Sequence, residues 1–105
     1  MNEQIKVLIV NPMMPSMRIE IDNALETFQS IVGDDIKETV LSDGLIVLSD
    51  KDGENKNLNY CCTIDGNNFL GTIIIASYDE QNENHVNELR DSSCAILQYG
   101  TRIQR

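Results

Sequence analysis

The sequence contains no tryptophan, a single histidine and two prolines among 105 residues, and its aromatic residues are two Phe and three Tyr. Aliphatic side chains must therefore fill the core. At 41% hydrophobic residues there are enough of them for a folded chain, and disorder is excluded. Basic residues are also scarce, with eight Lys and Arg against seventeen acids and a formal charge of −9. Binding to a phosphate backbone depends on Lys and Arg displacing counterions, so no direct nucleic-acid partner is expected. One small anion held by local donors remains compatible with this balance. So does an acidic surface that mimics DNA toward a protein, or one that serves only solubility. No apolar run approaches the roughly eighteen residues of a membrane span. The opening MNEQIKVLIVNP is too short for a signal peptide and has no small-residue cleavage site. Cys61, Cys62 and Cys94 are odd in number and lack metal-ligand spacing, which predicts a reducing, cytoplasmic setting. The length predicts one domain over 1–105, with residues 91–105 either part of it or a C-terminal tail.

The stretch Arg18–Val40 organises the rest as strand, helix, glycine stop and strand. Asp22 and Asn23 can each accept a hydrogen bond from an open helix N–H, and Glu26 stands at the capping-box position after Asn23. Ala24, Leu25, Phe28, Ile31 and Val32 recur at helical spacing, predicting a helix over Ala24–Val32 with Gly33 as a left-handed C-cap. Upstream, Ile5–Val10 is a run rich in β-branched residues, expected in a strand buried on both faces. Met17–Ile21 alternates, predicting an antiparallel partner with Met17, Ile19 and Ile21 inward.

Downstream, Ile36–Leu41 and Leu45–Ser49 flank Ser42-Asp43-Gly44 and predict a hairpin. Asp52-Gly53 is the strongest short hairpin signal in the chain. Leu58–Ile64 reads as a short strand or an irregular crossing, and Asp65–Asn68 as a turn. Phe69–Tyr78 reads as a second buried strand, with Gly71 at a bulge or a close backbone approach. Val86, Leu89, Ser93 and Leu97 fit a second amphipathic helix over Glu83–Arg90, while Cys94–Tyr99 reads equally as helix or strand. Five or six strands with two helices predict an α+β domain built on a mainly antiparallel sheet.

No residue pattern marks a catalytic centre, a metal site or a cofactor, and the chain is expected not to be an enzyme. His85 lies in a polar stretch and reads as a solvated side chain. Alternation along Asn59–Thr63 predicts one of Cys61 and Cys62 buried and the other exposed, neither with a nucleophile signature. Asp50, Asp52 and Glu54 have the opening spacing of a calcium loop, but Gly53 is misplaced and Cys61 stands where the bidentate Glu belongs, so a turn is the better reading. A polar pocket is the remaining candidate. Asn11, Arg18, Asn57, Asn59, Tyr60 and Thr72 stand at strand ends or inside apolar runs, and Gly71 would let a ligand approach the backbone beside Thr72.

Several segments together are similar to a known family. KVLIVNP (Lys6–Pro12), EIDNALETFQSIVG (Glu20–Gly33), Leu58-Asn59, and Gly71-Thr72 followed by IIIA resemble a catalogued domain of unknown function. Its pattern is a KVL-V-EP opening, an EIDN-LE-LQ-LVGG helix, LPLNR, a GTFF-I strand and a helix opening on Asp-Glu-Gln. Asp79-Glu80-Gln81 falls where that last motif is due, so the resemblance covers most of residues 5–90. Three positions depart from it: Asn11 replaces the acid before Pro, Asp34 the second Gly, and Tyr60 the Arg. The resemblance implies a small cytoplasmic protein of phages, plasmids or integrated elements of Gram-positive bacteria, without a catalytic role. The expected function is therefore binding in the service of counter-defence, by sequestering a small nucleotide-derived signal, with Arg18, Asn59, Tyr60 and Thr72 as candidate ligand residues. The alternative is an acidic inhibitor or DNA mimic acting on a host nuclease or regulator. A homo-oligomer is expected, because pockets commonly form between subunits and the CAIL segment (Cys94–Leu97) is apolar.

Overall fold

The computed structural model describes residues 4–41, 45–78, 86–87 and 103–104. Among the described residues the strands are β1 (Gln4–Val10), β2 (Met17–Asp22), β3 (Ile36–Leu41), β4 (Leu45–Asp50), β5 (Tyr60–Ile64), β6 (Asn67–Leu70), β7 (Ile73–Tyr78), β8 (Val86–Asn87) and β9 (Ile103–Gln104), with one helix, α1 (Leu25–Val32). This is the expected α+β class. The larger sheet runs β2-β1-β7-β4-β3, with β8 pairing β7 beside that path, and a smaller sheet runs β6-β5-β9. All of the pairings are antiparallel.

The three inner strands are the most apolar in sequence because both of their faces are covered. On one face, Leu8, Val10, Val47, Ile73 and Ile75 pack against Cys61, Cys62, Ile64 and Phe69 of the smaller sheet. On the other, Ile5, Val7, Ile46, Leu48 and Ile74 pack with Phe28 and Val32 of α1. Successive residues of a strand point to opposite faces, so IKVLIV, LIVLSD and IIIA each feed both cores.

The two hairpins β1–β2 and β3–β4 form in the expected places. Between β1 and β2, Met14 N–H bonds to the Asn11 carbonyl at 3.2 Å. Pro12 and Met13 stand between them, Met13 at φ 61°, the type II pattern with a non-glycine residue at its third position. The side chains of β2 depart from expectation. Ile21 is buried, but Met17 and Ile19 are exposed although they share its face, because β2 is an edge strand that α1 does not cover.

The helix also starts differently. Its N-cap is Ala24, with no side-chain cap bond, whereas Asp22 and Asn23 were the expected caps. Asp22 is held in the β1–β2 ladder opposite Gln4, whose side-chain amide donates to its carboxylate. Ala24 N–H bonds instead to the Asp22 carbonyl. Phe28 and Val32 are buried as the periodicity predicts, while Leu25, in the first turn, is exposed.

The apolar run Phe69–Tyr78 is two strands in two sheets rather than one. Gly71, at φ 75°, turns the chain from β6 into β7; its N–H bonds to the Asn59 carbonyl at 2.8 Å, and a Cβ there would lie 2.7 Å from Leu58 Cδ1. The Asp-Gly hairpin signal is realised at Asp65-Gly66, both at positive φ as a type I′ turn requires, and not at Asp52-Gly53. Cys61 and Cys62 are both buried, against the expectation of one inward and one outward. The register shift between Tyr60 and Cys62 opposite β6 adds a residue to the strand, which breaks the simple alternation. Of the second helix expected over Glu83–Arg90, Val86–Asn87 is a strand paired with Ser77–Tyr78. The remainder of that helix, His85, Cys94 and the Cys94–Tyr99 segment lie outside the described residues. Ile103–Gln104 pairs with β5, so that part of the chain's end belongs to the smaller sheet.

Candidate functional site

The polar turn after β4 is fixed by Asp50. Asp50 Oδ1 accepts from Asp52 N–H at 2.8 Å, the bond of a helix N-cap, and Oδ2 accepts from Lys56 Nζ at 2.8 Å. The turn closes with Leu58 N–H on the Gly53 carbonyl and Asn57 N–H on the Glu54 carbonyl. Asn57 is at φ 54°, so the pair of bonds is a Schellman closure with Asn57 in the left-handed position. The acidic trio is thus a capped turn, and no group of three or more His, Cys, Asp or Glu among the described residues is placed to hold a metal ion.

The Asp50 side chain is 3% exposed and that of Lys56 is 46% exposed. The bond from Lys56 holds the Asp50 carboxyl below its ordinary value of 3.8, desolvation opposes this, and the Asp52 N–H reinforces it. Asp50 therefore takes up its proton less readily folded than unfolded. The stability it provides is complete above the unfolded value and is lost as pH falls through the lower folded one. In thermal melts, the gap between wild type and Asp50→Asn is expected to be largest at neutral pH and to close below pH 3.8. A gap unchanged through that range would contradict this account.

An open cleft of about 500 Å³ lies beside this turn. The turn forms one wall, the outer ends of β5 and β6 another, and Lys37 and Ser49, opposite one another across β3 and β4, line the rest. Lys37 and Lys51 bring two ammonium groups to it, Asp52 and Glu54 two carboxylates, and Tyr60 an aromatic ring. At its rim a hydrogen-bond relay sets the polarity of the wall. Thr63 Oγ1 donates to Asn68 Oδ1 at 2.7 Å, so the Tyr60 hydroxyl must donate to Thr63 Oγ1. The volume lies within the range of small-molecule sites.

Of the four residues expected to bind a ligand, only Tyr60 lines this cleft. Arg18 lies on β2, at the opposite edge of the larger sheet from β3. Asn59 is exposed, and its carbonyl holds Gly71. Thr72 donates its hydroxyl to Asn11 Oδ1 at 2.7 Å, so these two polar residues tie the end of β1 to the start of β7. The segments Asn11-Pro12, Leu58-Asn59 and Gly71-Thr72 meet at the point where the chain changes sheets, and their contacts there are architectural. The sequence reading missed Lys37, Lys51 and Asn68 because their distance in the chain gives no local signal. The two described cysteines are both buried; Cys61 Sγ donates to the Val10 carbonyl at 3.4 Å and Cys62 has no exposed surface. No helix among the described residues is long and apolar enough to cross a membrane.

Comparison with curated proteins and with solved structures gave no match. A family model described as a domain of unknown function, DUF3846, matches residues 5–103, which is nearly the whole chain and includes every segment that carried the resemblance. The chain therefore belongs to the DUF3846 family.

Proposed function

We propose that this protein is a non-enzymatic binder whose cleft holds a small nucleotide-derived molecule, and that it serves a phage or mobile element by sequestering a host defence signal in the cytoplasm. The observation that carries the reading is the composition of the cleft: two lysines, an accessible tyrosine and three carboxylates, of which Asp50 is already bound to Lys56, around about 500 Å³. Ammonium groups suit phosphates, carboxylates accept from ribose hydroxyls, and an aromatic face stacks on a base. The cellular setting follows from what the family resemblance implies. The burial of both described cysteines is in keeping with a binding role and gives no support to a thiol nucleophile. The DNA-mimic alternative would need carboxylates in rows on one face. The described acids lie on β2, α1, β3, β4 and several turns, and the cleft gives the binding reading an observation of its own, so that reading stands ahead of it.

The test is a thermal-shift screen with cyclic and ADP-ribose-type nucleotides. A ligand at about a hundred times its Kd stabilises by about 2.7 kcal/mol, which for a domain of this size raises Tm by roughly 13 °C. The Lys37→Ala/Lys51→Ala variant is expected to abolish the shift while keeping its own melting temperature, since both side chains are exposed. No shift with any of these nucleotides would remove the proposal, and a protein partner would then be sought on the acidic surface.

A further inference from the structure

The larger sheet ends in two edge strands, β2 and β3, neither of which has an outer partner among the described residues. An open edge presents backbone N–H and C=O groups that can pair with another chain, and proteins that stay monomeric blunt it with proline, bulges or unmatched charge. β2 has neither a proline nor a bulge, and its charged residues are Arg18, Glu20 and Asp22. It pairs with β1 over six consecutive residues without a register shift, and it contains no proline. Its helix-side residues Met17 and Ile19 are 46% and 41% exposed, and Met13 and Met14, on the turn that leads into it, are 90% and 51% exposed.

The sequence of β2 is also complementary to itself. A twofold axis normal to the sheet pairs two antiparallel edges so that each dyad passes midway between one residue and its own copy, and matching faces stay on the same side. Centred on Ile19, the axis sets Ile19 against its copy, Met17 against the partner's Ile21, and Arg18 against the partner's Glu20, the last two contacts occurring twice. Centred one residue earlier it would set Arg18 against Arg18, and one residue later Glu20 against Glu20. Only the Ile19 register therefore joins apolar to apolar on one face and opposite charges on the other. The guanidinium has five donors, so this contact can be made in addition to the interactions of Arg18 within its own chain.

The other edge offers no equivalent. A dyad at Lys37 or at Glu38 sets like charges together, and one at Thr39 sets Glu38 against Val40 and Lys37 against Leu41.

We infer that β2 is a homotypic interface: a second copy of this chain adds its own β2 antiparallel, centred on Ile19, and the larger sheet continues across the dyad. The occupant is this chain itself because the charge pattern fits its own reverse. The contact lies at the far edge of the sheet from the cleft, so it stands independently of the proposed ligand.

Sedimentation equilibrium of the full chain across micromolar concentrations tests this. The wild type is expected to be a dimer. Arg18→Glu alone, or Glu20→Arg alone, puts like charges opposite at both symmetric positions and is expected to raise the dimer dissociation constant about tenfold or more. The R18E/E20R exchange restores opposite charges in the same register and is expected to return the constant to within about threefold of wild type. Ile19→Lys, at an exposed position, is expected to give monomers with an unchanged far-UV circular dichroism spectrum. A wild type that is monomeric throughout would overturn the interface. An exchange variant no tighter than the single variants would overturn it equally, since any contact outside this register gains nothing from the swap.

Discussion

Gly33→Ala is expected to lower stability by about 3 kcal/mol, a fall in Tm of roughly 15 °C, measured by urea and thermal unfolding. Two effects add at this residue. Its backbone is at φ 136° and ψ 163°, a region essentially reserved for glycine, because α1 must stop there and turn directly into the loop before β3. A Cβ at Gly33 would also lie 2.5 Å from Asp50 Oδ2 and 2.9 Å from its Cγ. That carboxylate cannot simply swing away, since its two oxygens are engaged by Asp52 N–H and by Lys56. The clash is thus with a side chain already committed to capping another turn. A double-mutant cycle separates the two effects. Asp50→Ala removes the obstacle, so the pair Gly33→Ala/Asp50→Ala should be less destabilised than the sum of the singles by about 1 kcal/mol or more. Additive losses would show that the backbone conformation alone carries the cost.

Ile74→Ala is expected to cost about 3 to 4 kcal/mol, the range for truncating a fully enclosed aliphatic side chain where the surroundings cannot collapse. Ile74 has no exposed surface, stands on the strand between β1 and β4, and packs in the cluster that includes Phe28 and Val32 of α1. Val40→Ala on the same face is the matched control. Val40 is 54% exposed at the β3 edge, so its truncation is expected to cost less than about 0.5 kcal/mol. Comparable losses at the two positions would mean that the face at β3 is covered in solution. The burial assigned to that edge would then be wrong.

Much of this architecture could be read directly from the chain. The runs IKVLIV, LIVLS and IIIA are apolar without alternation, which a strand can be only if both faces are covered, and all three lie at the centre of the larger sheet. The helix was legible from the spacing of Phe28 and Val32 and from Gly33 behind them. Local signals failed where two parts of the chain compete for one group. Asp22 looks like a helix cap, but its carboxylate is taken by Gln4 from the neighbouring strand. Asp52-Gly53 looks like a hairpin turn, but Asp50 and Lys56 bind the segment into a different one. Val86 fits a helical spacing, and β7 recruits it together with Asn87 as a strand.

The candidate site was less legible than the fold for the same reason. Tyr60 was found because it is a polar residue at the end of a strand. Lys37, Lys51 and Asn68 become neighbours only after β3, β4 and β6 are in place. By itself the sequence determined the α+β class, the buried central strands, the β1–β2 and β3–β4 hairpins and the amphipathic helix, because each follows from side-chain period and turn chemistry within a few residues. Only the tertiary structure decided that Phe69–Tyr78 splits between two sheets at Gly71, that both described cysteines are buried, and that β2 stands at the edge of the larger sheet with no outer partner among the described residues. Those outcomes depend on what lies across each strand, and the identity of that neighbour is a long-range fact that no local pattern records.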